Sequence, residues 1–465
     1  MKGFLTQRVL AMGAATTIIL GAVALMLLGA GGIVAWEYSN SDAFCANVCH
    51  SVHPEETLAH QASFHGQVHC VECHIGRIST LQAMALKPEH AKELWGMIVG
   101  YERPLVSTTL RPARQNCEGC HNPSVVHHDS VVVHKHYDTD PPSSESATRL
   151  ILHTGSGTIR EKAAKGIHWH VTNDVEFIAA DPQRRSIPWV QVKGPDGKTT
   201  TYVDATSKAA PGTFKPENAR RMECFDCHNT VGHPFPNPAD ALDDAIATGK
   251  IDRGLPSAKQ RGLELIAASA KLSGPYDERA KTLDKLVGES AAKAAVKPDK
   301  KQAEAKFDQA MKGIVLASTF EAPGITWKSF PNHTGHKDFP GCFRCHDGKH
   351  FDDKGNAIRL QCTLCHDLPQ VTREKGKGSV PSTILAGVSP PDSHEAPNWM
   401  RDHRLSVDQS CAACHGKIEY GDQGGSFCSN PACHGRKWPE LDLNAEPKPP
   451  AKAELEQLLA HVLAR

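Results

Sequence analysis

All sixteen cysteines of this 465-residue chain fall into eight pairs, and each pair ends in Cys-His. The pairs are Cys45/Cys49, Cys70/Cys73, Cys117/Cys120, Cys224/Cys227, Cys342/Cys345, Cys362/Cys365, Cys411/Cys414 and Cys428/Cys433. The histidines that follow at once are His50, His74, His121, His228, His346, His366, His415 and His434. Two thiols and an adjacent imidazole in that order are the attachment signature of a c-type haem. The thiols add across the two vinyl groups, and the histidine ligates iron from one face. Structural zinc needs no histidine directly after its second cysteine, and a disulfide framework needs none at all. Six pairs have the usual two intervening residues; Cys45/Cys49 has three and Cys428/Cys433 has four. With no cysteine left over, the expectation is eight covalently bound haem c groups.

Composition agrees with a porphyrin-centred interior. Aromatic residues make up only 6% of the chain and the mean hydropathy is −0.39, so haem plates must supply apolar area that side chains do not. The 52 basic and 52 acidic residues cancel, and two propionates per haem turn the assembled protein acidic. Nucleic acid is therefore not an expected partner.

The elements that must carry these groups begin with an anchor. Residues 9–34 contain no charge and exceed the roughly 20 residues needed to cross a bilayer. Lys2 and Arg8 precede the run, and Trp36 and Tyr38 follow it as an interfacial belt would. No small-residue cleavage site closes the run, so a retained transmembrane helix is expected over residues 9–36. The basic residues put residues 1–8 in the cytoplasm and the haem domains on the periplasmic side of a bacterial inner membrane.

The stretches FCANVCH, ETLAH, HCVECHIG, LKPEHAKELWG, CEGCH and CFDCHNTVGH together resemble the NapC/NirT/NrfH family of membrane-anchored multihaem quinol dehydrogenases, over residues 1 to about 233. The resemblance implies one N-terminal helix, four haems outside the membrane, and oxidation of menaquinol or ubiquinol beside the first haem. By position it implies that His60 and His233 are distal haem ligands. Lys87 lies close to the family's quinol-contacting lysine and Glu93 close to its acidic residue. A lysine there holds a quinol oxygen as charge develops on it, and a carboxylate accepts a released proton; Glu55, Glu56 and Glu89 are the other acidic candidates. One departure is notable. Where the NrfH-type motif carries a methionine near the first iron, this chain has Val52 followed by His53, which leaves the first haem open or ligated by His53.

Residues 37–236 are read as a four-haem domain with a β-containing insertion at about 140–215. The segment VVHHDSVVVHKHYD offers His127, His128, His134 and His136 as a distal ligand, with His134 or His136 preferred and His136 carried forward. Apolar, β-branched runs around Gly194-Pro195-Asp196-Gly197-Lys198 predict a hairpin. His168-Trp169-His170 precedes it; in a strand the two histidines would share a face, either ligating haem or facing water. Residues 237–320 carry no cysteine, and apolar residues recur there at three and four. Leu263, Ile266 and Ala270, then Leu283, Leu286 and Val287, then Phe307, Met311 and Ile314 form stripes of a helical insert, read as a spacer rather than a docking module.

A second haem block follows: a two-haem segment at 321–375, a linker at 376–397, a two-haem segment at 398–440 and a tail at 441–465. Its close spacing resembles small triheme and tetraheme cytochromes, which implies His336 and His350 as distal ligands with His333 in reserve. His394 and His403 complete the last two sites. Bis-histidine iron has no site free for a substrate and relays electrons. One open haem beside the membrane and seven closed ones describe a wire with a single entry. The expected fold is thus a multihaem cytochrome c with one transmembrane helix, mainly helical or irregular haem-packed domains and a small β-hairpin insertion. The expected function is quinol oxidation with electrons leaving to a periplasmic cytochrome or reductase. The competing readings are a terminal reductase of a small nitrogen or sulfur oxyanion, and an electron-transfer subunit working with other membrane subunits.

Overall fold

The structure is a computed structural model that describes residues 2–49, 54–100, 103–104, 111–126, 128–157, 165–194, 196–208, 214–294, 296–367, 369–374, 396–399, 402, 439–442 and 444–447. The side chains of 2–15, 49, 89–94, 97–98 and 362 lie outside this description. The chain divides into two compact units, Met1–Tyr101 and Glu102–Arg465.

The first unit is helical. Helix α1 (Lys2–Ser39) contains the apolar run, and Thr16–Ser39 is long and apolar enough to cross a membrane. Within that run Ile18, Leu20, Leu25 and Leu28 are 63–73% exposed. The chain leaves α1 through Ser41, whose hydroxyl caps the short helix α2 (Asp42–Phe44) by accepting from the Phe44 amide at 3.1 Å. A π-turn over Cys45–Cys49 then carries the first thiols. Helices α3 (Glu55–Ala62), α4 (Cys70–His74) and α5 (Thr80–Val99) complete the unit. A capping box in which Ser79 and Gln82 exchange hydrogen bonds starts α5, satisfying amides that a helix start leaves without partners.

In the second unit two antiparallel sheets frame the attachment motifs. Strands β1 (Ser130–Tyr137) and β2 (Glu145–Leu152) form a hairpin, and β8 (Gln370–Arg373) joins the other side of β2. The second sheet has the order β6-β3-β4-β5-β7, from β3 (Val175–Ile178), β4 (Trp189–Lys193), β5 (Thr199–Asp204), β6 (Arg220–Arg221) and β7 (His350–Phe351). The hairpin expected around residues 194–198 is the β4–β5 pair, with Lys193 opposite Thr199. The β content is larger than one small hairpin, because segments read only as ligand donors, such as 130–137, also pair. Alternation explains the core: Val175 and Phe177 of β3 are buried, and Ile187, Val190 and Met222 pack with them.

The cysteine-free stretch folds as α8 (Pro238–Ala247), α9 (Ala258–Ser269), α10 (Tyr276–Lys293) and α11 (Lys301–Ser318), after the single turns α6 (Trp169–Thr172) and α7 (Cys224–Cys227). Proline and asparagine set the starts: Asn237 caps α8 with Pro238 in its first turn, and Pro275 caps α10. Leu283, Val287, Phe307 and Met311 from the expected stripes are buried together with Leu242, Leu265 and Val315. Leu263, Ile266, Leu286 and Ile314 flank that core, whereas Ala270 is exposed. Tyr137 of β1 belongs to the same cluster, so the helices pack on the first sheet. At the base of the insert, Phe235, Phe320 and Phe330 form a triangle of rings 4.4–5.1 Å apart. This clasp brings the chain back to where it left, which lets the fourth and fifth motifs lie near each other.

Candidate haem attachment and electron-entry sites

The attachment motifs are short helical turns. Cys70–His74 and Cys224–Cys227 are α-helical, and Cys117–Gly119, Gly341–Arg344 and Cys362–Leu364 are 3-10 turns. A helical turn puts residues three apart on one face, which is how two thiols can reach one porphyrin edge. The ten cysteines among the described residues whose side chains are defined form no disulfide with one another.

Thiols of successive motifs meet. Cys45 and Cys70 are hydrogen-bonded, which lowers the Cys45 thiol to about 7. Asp42 fixes this contact by accepting from the Cys70 amide at 2.9 Å and pairing with His69 Nδ1 at 2.9 Å. In the second unit Cys224 is hydrogen-bonded to Cys117, and Cys342 to Cys365.

The two thiols of one motif are not equally enclosed. Cys73 and Cys120, the second thiols of the second and third motifs, are exposed, whereas Cys70 and Cys117 are half-buried. Cys227 and Cys345, in the fourth and fifth motifs, are also half-buried, and burial pushes their thiols up to about 11 and about 12.

The fourth and fifth motifs are joined by Arg344, which donates to the carbonyls of Gly341 (2.9 Å), Arg184 (3.0 Å) and Asp226 (2.9 Å). The Asp226 carboxylate also accepts from Arg220 at 2.7 Å through both oxygens. The third to sixth motifs therefore follow one another in space as in sequence.

Histidines face one another across gaps. His168 and His228 stand 6.4 Å apart with planes 8° from parallel. His170 and His346 are 5.8 Å apart at 83°, and His336 and His366 are 6.1 Å apart at 27°. Two imidazoles bound at about 2 Å to opposite faces of one metal hold their centres roughly 6 Å apart. Backbone carbonyls hold the other ring nitrogen in several of them. Nδ1 of His168 contacts Thr154 O at 2.6 Å, that of His170 Ile167 O at 2.8 Å, that of His346 Arg359 O at 2.6 Å, and that of His366 Asp367 O at 2.5 Å. A carbonyl can only accept, so each Nδ1 carries the proton and Nε2 keeps its lone pair. Burial, reinforced by His170, lowers His346 to about 4. Burial likewise lowers His228 and His170, keeping these rings in the neutral form that ligates metal. The donor set and its spacing fit c-type haem.

The other sequence-derived candidates have different surroundings. His350 is 1% exposed and bound on both nitrogens, Nδ1 to Asp347 at 2.8 Å and Nε2 to Ile187 O at 2.6 Å. His333 has Nε2 on Gln183 O at 2.8 Å. His136 lies 3.4 Å from Asp243, His60 has Nε2 on Val68 O at 3.0 Å, and His233 is half-buried. Several expected sites lie outside the described residues. They are His50, His53, His127, His394 and His403, the seventh motif (Cys411, Cys414, His415), the eighth (Cys428, Cys433, His434), and the side chains of Cys49, Cys362, Glu89 and Glu93.

On a strand His168 and His170 would share a face. They sit instead at the start of a one-turn helix, with His168 as its cap. Gly166 makes this entry possible: a Cβ there would stand 2.2 Å from His153 O.

At the membrane end, Lys87 of α5 hydrogen-bonds the Ser39 hydroxyl and lies 4.4 Å over the Trp36 ring. Burial lowers its pKa, and the nearby Cys45 thiol acts in the opposite direction. Leu81, Met84, Trp95 and Val99 of the same helix are 49–80% exposed. At 100° per residue they share about one sixth of the helix circumference.

Comparison with known proteins gives these features a family. Residues 7–104 match the NapC/NirT cytochrome c family, N-terminal region. The cytochrome c-type protein ImcH of Geobacter sulfurreducens is 33% identical over 357 residues, 76% of this chain and 69% of the relative. The denitrification system component NirT of Stutzerimonas stutzeri is 40% identical over 90 residues, 18% of this chain and 43% of the relative. No solved structure matches. The chain is thus a membrane-anchored electron-transfer protein of the NapC/NirT cytochrome c family.

Proposed function

We propose that this chain oxidises quinol at the inner membrane and delivers the electrons to a periplasmic cytochrome or reductase. The observation that carries the reading is the position of Lys87, which touches Trp36 and Ser39 at the end of the anchor and lies beside Cys45 of the first motif. An ammonium group there meets a lipid-borne head group where the bilayer ends. It donates a hydrogen bond to the quinol oxygen and stabilises the anion formed as a proton leaves. Glu93, assigned through the family resemblance, takes the two protons in turn and releases each to water. Eight haem c groups, bound at the eight Cys-His motifs, supply one-electron carriers that accept the two electrons of a quinol singly. The remaining residues hold those carriers in fixed order: Asp42 between the first two motifs, and Arg344 with Asp226 between the fourth and fifth. The N-terminus lies inside and the haem units outside, since bacteria attach haem c beyond the cytoplasmic membrane.

The test uses the full chain in lipid nanodiscs. A menaquinol analogue reduces its haems, and Lys87→Ala slows that reduction on the order of 10-fold or more while leaving reduction by dithionite unchanged. A chain that dithionite reduces but quinol does not, or a Lys87→Ala rate equal to wild type, overturns the reading. The first of these results assigns the electrons to a protein donor instead.

A further inference from the structure

We infer that His168-Trp169-His170 is a ligand clip that supplies the distal iron ligands of the fourth and fifth haems at once. The inference rests on haem attachment at those motifs, and not on quinol as the electron source.

The two histidines belong to one helical turn. Successive residues of a helix advance about 100°, so positions two apart point to nearly opposite sides. His168 accordingly faces His228 of the fourth motif, and His170 faces His346 of the fifth. Both separations suit one iron between two imidazoles, and the carbonyls of Thr154 and Ile167 leave Nε2 of each free to bind. His228 follows Cys227 and His346 follows Cys345, so each ring belongs to an attachment motif.

The frame around the clip is stiff. The Thr172 hydroxyl donates to Ser156 O at 2.7 Å and to His168 O at 3.2 Å, closing the turn. Asn173 Nδ2 donates to Trp169 O at 2.8 Å. Trp169 packs on the core of the second sheet, where Cys345 also lies, and Lys165 sits 4.2 Å over its ring. Arg344 and Asp226 join the two motifs on their attachment side. Ligands from one tripeptide on one side and a buried arginine on the other fix the two haems as a pair. His350, whose two nitrogens are bound by Asp347 and Ile187, holds the fifth motif's flank rather than its iron.

The ring planes give the clip a spectroscopic signature. Near-parallel imidazoles on one ferric iron give a rhombic low-spin EPR signal, and near-perpendicular ones a strongly anisotropic signal with a large maximum g. The fourth haem, at 8°, belongs to the first kind and the fifth, at 83°, to the second.

The experiment uses the oxidised full chain with its haem content verified. His168→Ala should remove one rhombic signal and yield one high-spin haem, while His170→Ala should do the same to one strongly anisotropic signal. His168→Met and His170→Met keep a ligand and guard against misfolding; each should raise the potential of one haem, as methionine ligation does. His350→Gln should leave the number of low-spin haems unchanged. Retention of every low-spin signal and potential in both histidine series overturns the clip, as does a new high-spin haem in His350→Gln. Because titration with dithionite suffices, failure here leaves the quinol reading untouched, and failure with quinol leaves the clip untouched.

Discussion

Arg344 donates a 2.9 Å hydrogen bond to the backbone carbonyl of Asp226, across 118 positions of sequence. The bond joins the middle of one Cys-x-x-Cys turn to the middle of another. Arg344 is 8% exposed, and its other two bonds also end on carbonyls. The neighbouring Asp226 carboxylate pairs with Arg220 at 2.7 Å and with Arg184 at 3.5 Å. Lysine cannot reproduce the planar fork of five donors.

Arg344→Lys is therefore expected to destabilise the second unit by about 3 kcal/mol, as buried carbonyls lose their donors. Thermal unfolding followed by circular dichroism of the loaded protein measures this. The optical spectrum should keep its low-spin form below the transition, because Arg344 touches no iron ligand. An unchanged midpoint would show that the bridge carries no stability.

Asp243 of α8 offers a second test, at the seam between the helical insert and β1. It accepts from Lys259 Nζ at 2.6 Å and from the Tyr137 amide at 3.2 Å, with Lys259 5% exposed. Asp243→Ala leaves an ammonium group buried without its counter-charge, a loss of about 3–5 kcal/mol. The double variant Asp243→Leu with Lys259→Met removes both charges together and should recover most of that loss. Denaturant titration of the single and double variants decides the matter, and equal stabilities for them would refute the account.

The pH response of the second unit should carry the mark of His350. Burial opposes its charged form, yet the hydrogen bond and charge of Asp347 raise its pKa above the ordinary value. A folded pKa above the unfolded one, about 6.5, means the native state binds the proton more tightly. The stabilisation is fully present below that unfolded value and is lost as pH rises through the raised one. Stability should thus fall as pH rises from about 6 into the mildly alkaline range, and His350→Gln should flatten that slope. Chemical denaturation at several pH values reads both.

What the sequence disclosed and what it withheld divide along the reach of the forces involved. Thiol spacing, the uncharged run and the stripes at Leu283, Val287, Phe307 and Met311 are local patterns, and the helices and turns follow them. Which imidazole faces which is decided at long range. His168 meets His228 because β3 pairs with β6, which leads into the fourth motif, while the phenylalanine clasp returns the chain to the fifth. No periodicity records that. At 168–170 the cause is nearer: Gly166 and the hydrogen bond from the Thr172 hydroxyl to His168 O turn the chain into a helix before β3 begins. For His350 a signal was present, since Asp347 stands three residues earlier and claims its Nδ1.

The last prediction concerns the outer face of α5. Leu81, Met84, Trp95 and Val99 lie along one narrow stripe and remain exposed, while Lys87 on the flank of that helix reaches Trp36 at the end of α1. A stripe of this kind, with an aromatic ring and continuous with a membrane anchor, lies in the head-group region of a bilayer. A photoreactive phenylalanine analogue at position 81 or 95 of the full chain in nanodiscs should capture lipid, adding the mass of one phospholipid to the α5 peptide. The same analogue at Val231, 49% exposed in the second unit, serves as the comparison position. Capture of protein instead of lipid at both positions of α5 would make the stripe a subunit interface. Burial of roughly 25 cal/mol per Å² of apolar surface on the lipid side explains why such a helix keeps leucine and tryptophan outward. Leu81→Glu with Trp95→Glu should accordingly slow reduction by quinol while sparing reduction by dithionite, because Lys87 would be lifted from the surface where quinol arrives.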